Sequence, residues 1–414
     1  MRSGFVLWLV VSLVLACVPQ FNVVEAESGG RVVVPDDYGS VFDAVDAAEE
    51  GDTVFVRSGV YYGPVNRTLV LDKSISLIGE DAEKTIIKLY PSYVKEIIFT
   101  QTFYYYSDAI TFHANDVKIS YLSIVVNPGG DINVIGDRAQ IIGNNITSGL
   151  SVQGSQSNIT RNTMGKSIHL KGSDSSIVQN SVLSIMLDAS DSNTIANNIC
   201  KGLTVGLPNR SSSYNIISEN KIEGPGWGIW IGEGYHNVFH ANYIANFSGY
   251  GPQSYGVGGV YGWMENNTFY KNSFLNNRKH VDFRGDIVRT DNRWDYGEQG
   301  NYWDDYNGID ANGDGVGDTP YVIDEYNQDN YPLMSPTEPS GLLDIEPPAP
   351  LIISPTNQTY HTNYISLNFT VDELVSWAGY SLDDQENVTV TGSSTLLEMP
   401  EGSHKLVVRK GYCQ

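Results

Sequence analysis

The chain has 414 residues, with 25 Lys and Arg against 48 Asp and Glu and a formal net charge of -23. That balance argues against recognition of nucleic acid, whose phosphates draw on clustered cations. Charged residues make up only 18% of the chain, so polarity comes from 41 Gly, 26 Tyr and an excess of Asn and Ser, which excludes a helical bundle and points to an all-β, turn-rich protein.

Residues 1–26 read as a secretory signal: Arg2, then an apolar run from Phe5 to Ala16, then Val24-Glu25-Ala26 as a small-residue cleavage site. The run falls short of the roughly 20 residues a spanning helix needs. A membrane tie would require an uncleaved signal, or a lipid on Cys17 in Val14-Leu15-Ala16-Cys17. The remaining cysteines, Cys200 and Cys413, have no spacing that supports a disulfide. Asn-x-Ser/Thr sequons, Asn66 and Asn145 among them, suit a secreted or cell-surface glycoprotein, although an Asn-rich chain generates sequons by chance.

Residues 30–299 are expected to wind as a solenoid. The segments IIGNNI, ITRNTM, IVQNSV, TIANNI, ISENKI, FHANYI and FYKNSF repeat one pattern, aligned on Asn144, Asn162, Asn180, Asn197, Asn220, Asn242 and Asn272. A unit of about 20 residues cannot bury its apolar positions alone and must stack on its neighbours. The alignment places Ile141, Ile159, Ile177, Thr194, Ile217, Phe239 and Phe269 in one inward column. A second holds Ile146, Met164, Val182, Ile199, Ile222, Ile244 and Phe274. The asparagines lie at a turn, where Asn tolerates left-handed angles and its amide can bond the amide one coil on. This describes a parallel β-helix; a propeller would need blades of about 40 residues.

Val32–Val65, with a short amphipathic helix over Val41–Ala48, resembles the N-terminal cap of pectate-lyase-like right-handed β-helices, and the block Gly300–Met334 resembles the one that follows the last coil in secreted archaeal NosD-type β-helix proteins. The resemblance implies a right-handed parallel β-helix with a cap helix. For the bacterial namesakes it implies a periplasmic, copper-binding protein associated with maturation of a copper enzyme. For the broader group it implies carbohydrate binding or sugar hydrolysis. Fold alone decides between none of these.

Within the block 300–334, Asp310, Asn312, Asp314 and Asp318 with the Val316 carbonyl and Gly315 match a calcium-loop pattern; Tyr321 stands where a bidentate Glu would close the shell. A turn merely rich in Asp, Asn and Gly is the plain alternative. Residues 335–350 read as a Pro-rich linker. Residues 351–414 read as short alternating strands resembling an immunoglobulin-like module, incomplete at its end.

Trp227, Trp230, Tyr235, Tyr250, Tyr255, Tyr261 and Trp263 cluster in the longer repeats with Glu223, Glu233 and Glu265. Flat aromatic faces stack on sugar rings and carboxylates accept hydroxyl hydrogens, so this face is the candidate platform for a polysaccharide or another envelope glycan. The same aromatics could equally serve as packing. An enzyme (hydrolase, lyase or epimerase) would need convergent carboxylates; Asp188 and Asp191, Glu223 and Glu233, and Asp282, Asp286, Asp291 and Asp295 are the candidates. Copper favours His, Met and Cys, and the histidines, including His236 and His240, are scattered. The reading is an exported, calcium-stabilised β-helix that binds polysaccharide; a glycan-acting enzyme, a copper-binding protein and a passive envelope element are the alternatives.

Overall fold

The computed structural model describes residues 29–98, 101–225, 228–248, 260–283 and 291–342, and in the C-terminal module the strands between 350 and 412 with a few flanking residues. The expected signal, residues 1–26, lies outside the described residues. No helix among them is long and apolar enough to cross a membrane. The chain divides into two units, Met1–Leu343 and Asp344–Gln414.

The first unit is a right-handed parallel β-helix with three walls. The first wall has eleven strands, from Arg31–Val34 to Thr268–Tyr270; the third has ten, from Leu69–Leu71 to Val281–Phe283. The second wall is two five-stranded runs, from Gly59–Val65 to Thr163–Met164 and from Ile199–Cys200 to Tyr302–Trp303. Ser181 joins the runs through single parallel bridges to Thr163 and Ile199. One helix, Val41–Ala47, closes the N-terminal end. The Ser40 hydroxyl accepts the Phe42 N–H, and Val41, Phe42, Ala44 and Val45 are buried, covering apolar side chains that an open coil would expose.

Strand side chains alternate, so each coil sends one apolar set inward. The first-wall column is Ile141, Ile159, Ile177, Ile195, Ile217, Phe239 and Phe269, and the second-wall column is Ile146, Met164, Val182, Cys200, Ile222, Ile244 and Phe274, all buried. These columns correct the alignment at one coil. Ile195, not Thr194, pairs with Ile177 and Ile217, and Cys200, not Ile199, pairs with Ile222. The doublet Asn197-Asn198 permits two alignments, and a slip of one residue turns every inward side chain outward. Asn198 is the buried member.

The asparagine ladder therefore runs through Asn144, Asn162, Asn180, Asn198, Asn220, Asn242, Asn272 and Asn301, spaced 18, 18, 18, 22, 22, 30 and 29 residues. Each Oδ1 accepts both the backbone N–H and the Nδ2–H of the asparagine one coil earlier; for Asn162 both distances are 3.0 Å. From Asn144 to Asn272 the left-handed residue is the one before the rung, such as Arg161 (φ 56), Gln179 (φ 56) and Glu219 (φ 52), and not the ladder asparagine itself. A second ladder, unforeseen from the sequence, occupies another corner. It passes from Ser157 and Ser175 to Asn193, Asn215, Asn237, Asn267 and Asn292.

The C-terminal end is closed by stacked rings. Phe239, Phe269 and Trp294 stack at 4.6 and 4.5 Å, and Phe274, Trp303 and Tyr321 at 4.4 Å each. Part of the expected linker lies against the solenoid: the Ser273 hydroxyl donates to the Thr337 carbonyl, and Gln179 Nε2 to the Gly341 carbonyl. The described strands of the second unit form two three-stranded antiparallel sheets.

Candidate functional site

The third wall carries a row of register partners in neighbouring coils, Thr111, Asn133, Ser151, His169, Met186, Thr204, Trp230, Tyr261 and Asp282, of which Asn133, Ser151, His169, Met186, Thr204, Trp230 and Asp282 are partly exposed and Thr111 is buried. Trp230 and Tyr235 are half-buried, and Trp230 is the register partner of Tyr261. Trp227, Tyr250 and Tyr255 lie outside the described residues, as do the side chains of Tyr261 and Trp263.

Most of the carboxylates put forward as acid–base candidates have other partners. Asp188 is 1% exposed; its Oδ2 accepts His169 Nε2–H at 2.9 Å and Arg210 Nη1–H at 2.8 Å, while Oδ1 is buried without a donor. Glu233 Oε1 accepts the Asn209 N–H, holding the Leu207–Arg210 turn that delivers Arg210 to Asp188. Asp191 Oδ1 accepts the Ser213 N–H at 2.7 Å. Glu223 receives Asn246 Nδ2 and pairs with Lys221, and Asp282 pairs with Lys279. Asp286 lies outside the described residues, and Asp291 lines the cleft described next. Each of the other described candidates is thus a fastening between strands and loops, with Asp188 alone fixed against a histidine.

The C-terminal block brings together residues that the repeat pattern keeps apart. An open cleft of about 990 Å³ is lined by His236, Asn266, Asp291, Arg293, Glu325 and Tyr326, with Tyr326 half exposed. His236 stacks on Tyr214 at 5.1 Å beside it. A smaller cavity of about 190 Å³ adjoins His280, Asp305, Trp303 and Tyr321. There His280 Nε2 lies 3.0 Å from Asp304 Oδ1 and 3.3 Å from Asp305 Oδ1. Burial raises the Tyr321 phenol well above its ordinary value, keeping it a hydrogen-bond donor to Asp305.

Below these sites Asp329 ends the first ladder. Its Oδ2 accepts the Asn301 N–H and Trp303 Nε1–H, and its Oδ1 the Tyr331 N–H. The residue is fully buried, and burial outweighs those donors, pushing the carboxyl up to about 6. The Asp310–Asp318 loop is built of short side-chain-to-backbone turns. Asp310 accepts N–H groups of Gly313, Asp314 and Gly315, Asp314 that of Val316, and Asp318 that of Ala311. The Asp310, Asp314 and Asp318 carboxylates are not gathered within 4.8 Å of one another, unlike those around His280.

The winding and the paired ladders define a right-handed parallel β-helix protein. Residues 45–308 match the family described as "Periplasmic copper-binding protein (NosD)", and the chain belongs to that family. No curated protein matches it. Among solved structures it is similar to the Dettilon tailspike protein (gp208), at 11% identity over 84% of this chain and 80% of that one, TM-score 0.48. It is also similar to the A-module of the mannuronan C-5 epimerase AlgE6 of Azotobacter vinelandii, at 12% identity, 62% and 92% coverage, TM-score 0.34. A third is the PL6 family alginate lyase AlyGC, at 11% identity, 75% and 57% coverage, TM-score 0.32.

Proposed function

We propose that this chain is an exported, envelope-associated β-helix protein that binds a polysaccharide in the cleft between its last coils and Glu325–Tyr326. The cleft itself carries the reading: its volume suits a short run of sugar rings. Tyr326 offers a flat apolar face, and Asp291, Arg293, Glu325 and Asn266 offer hydroxyl partners. The expected platform around Trp230 lies on the third wall and would extend the contact surface. Glycan-array binding tests this, with Tyr326→Ala expected to weaken any hit about tenfold, as loss of roughly 1.4 kcal/mol of stacking implies. No binding to any glycan, or binding indifferent to Tyr326, refutes it.

Calcium in the Asp310–Asp318 loop belongs to the same reading. A cation would draw together carboxylates that now accept backbone N–H groups, and offset their mutual repulsion. Calcium is expected to raise the melting temperature and chelation to reverse it. An unchanged melting temperature removes calcium from the reading.

The family description names copper. Among the described residues the His280–Asp304–Asp305 group does not fit it. Asn277 Oδ1 accepts the Phe247 N–H and its Nδ2 faces His280 Nδ1, so Nε2 keeps the proton that the two carboxylates share.

A further inference from the structure

His169 is held as a base is held in acyl-transfer sites. Its Nε2–H donates to Asp188 Oδ2 at 2.9 Å, and that carboxylate is 1% exposed while the histidine side chain stays 35% exposed. Arg210 Nη1–H reaches the same oxygen at 2.8 Å and compensates the buried charge. With Nε2 donating, the ring carries its lone pair on Nδ1. Ser151 is the register partner of His169 one coil earlier, on Leu150–Val152 beside Ile168–Leu170. In both strands the flanking residues are buried, so hydroxyl and imidazole stand on the same outer face. Strands about 4.8 Å apart place them within reach, and rotation about χ1 can turn the Ser151 Oγ toward the ring. The Ser151 hydroxyl has no hydrogen-bond partner among the described residues, whereas Ser167 bonds Ser184 and Ser190 bonds the Gly172 carbonyl. Two further donors flank the pair. Gln153, two residues past Ser151, gives one Nε2–H to Asn133 Oδ1 and keeps the other. Lys171, two past His169, is exposed and has no ion pair among the described residues.

We propose that Ser151, His169 and Asp188 form a site that hydrolyses acyl esters, with Ser151 as nucleophile, His169 Nδ1 as base and Asp188 as the positioning residue. A nucleophile beside a base that a third group orients is the arrangement such chemistry requires. Ser151 Oγ bonds to the ester carbonyl carbon while its proton passes to Nδ1. The bond from that carbon to the alcohol oxygen then breaks, and the departing oxygen takes the proton. A water repeats the sequence on the acyl-serine: its oxygen bonds to the carbonyl carbon, and its proton goes to Nδ1 and on to Ser151 Oγ as the acid leaves. Asp188 stabilises the imidazolium by accepting its Nε2–H and takes no proton itself. Gln153 and Lys171 supply N–H donors for the carbonyl oxygen as it gains charge. The open row admits a polymer: Ser151, His169, Met186, Thr204 and Trp230 follow in successive coils, about 19 Å along the axis. The substrate class is therefore an O-acylated polysaccharide. That class rests on the glycan reading above, whereas the acyl chemistry does not, and the site shares no residue with the glycan cleft.

The test is labelling of the full chain with a fluorophosphonate, mapped by peptide mass spectrometry, together with hydrolysis of p-nitrophenyl acetate and of chemically O-acetylated xylan, glucomannan and polygalacturonate. A single adduct on Ser151 is expected, absent from Ser151→Ala and His169→Gln. Both variants should lose at least about a hundredfold in kcat/KM for p-nitrophenyl acetate. Both alter partly exposed side chains, so their melting temperatures should match the parent's. Asp188→Asn should lower kcat by a similar factor with KM unchanged, because an amide there turns the ring to the wrong tautomer. The adduct in the unmodified chain keeps the test decisive even if Asp188→Asn unfolds. No adduct, an adduct confined to another serine, or hydrolysis that survives Ser151→Ala overturns the proposal. A Ser151 adduct and p-nitrophenyl acetate turnover without acetate release from any of the three glycans overturns the polysaccharide substrate and upholds the esterase site.

Discussion

Asp329 is a single carboxylate on which the end of the solenoid depends, and its environment sets a pH dependence. Its folded value of about 6 lies above the ordinary 3.8, so the folded state binds the proton more tightly than the unfolded chain. The associated stabilisation is complete below pH 3.8 and is lost as pH rises through about 6; two pKa units correspond to roughly 3 kcal/mol. Urea melts from pH 3.5 to 7.5 should show that decline in the parent, and Asp329→Asn should remove it. A slope that survives the substitution would assign the titration elsewhere. Asp329 was not legible in the sequence as a ladder terminus, because it lies outside the repeat and reaches Asn301 from the capping block. The Asn197-Asn198 doublet failed for a different reason. Two identical side chains sit at adjacent positions, and composition cannot say which faces inward.

At the scale of the element, the ladders hold the turns that join the walls. Asn198 is fully buried; it donates to the Ile177 and Ala196 carbonyls and to Asn220, and accepts from Asn180. Asn198→Ala should therefore destabilise by about 3–5 kcal/mol, since it strands several buried groups. Asn197→Gly should stay within about 1 kcal/mol, because its Oδ1 has no partner and glycine adopts φ 56 freely. Comparable losses in the two variants would reverse the register correction. The strand pattern and the first ladder were legible because Asn recurs at nearly every coil. The second ladder was hidden by serines at Ser157 and Ser175 in its early rungs. The pairing of His169 with Met186 was hidden too, because residues 17 apart become neighbours only once coil register is known.

On the scale of the whole molecule, the first unit has both ends covered, by the Val41–Ala47 helix and by the stacked rings at Trp294, Trp303 and Tyr321. Trp303→Ala should remove about 3–5 kcal/mol, as for other buried tryptophans, and loosen the Asp329 contacts with it. A chain ending at 343 should keep the solenoid's unfolding transition, whereas one ending at 334 should lower it by removing the strand of chain held by Ser273 and Gln179. Identical transitions would show that this segment contributes nothing. The first ladder also makes the two ends electrically different. Along the ladder each side-chain carbonyl points toward the N-terminal end, while the backbone N–H and one Nδ2–H point toward the C-terminal end and the other Nδ2–H returns to a carbonyl of the preceding coil, so the C=O dipoles add along the axis as peptide dipoles do in a helix. Leu122, which supplies only a backbone N–H to Asn144, begins the series, and the Asp329 carboxyl meets its positive pole. Such a solenoid has a polarity that no reordering of identical coils can remove, and an acidic group belongs at only one of its two ends.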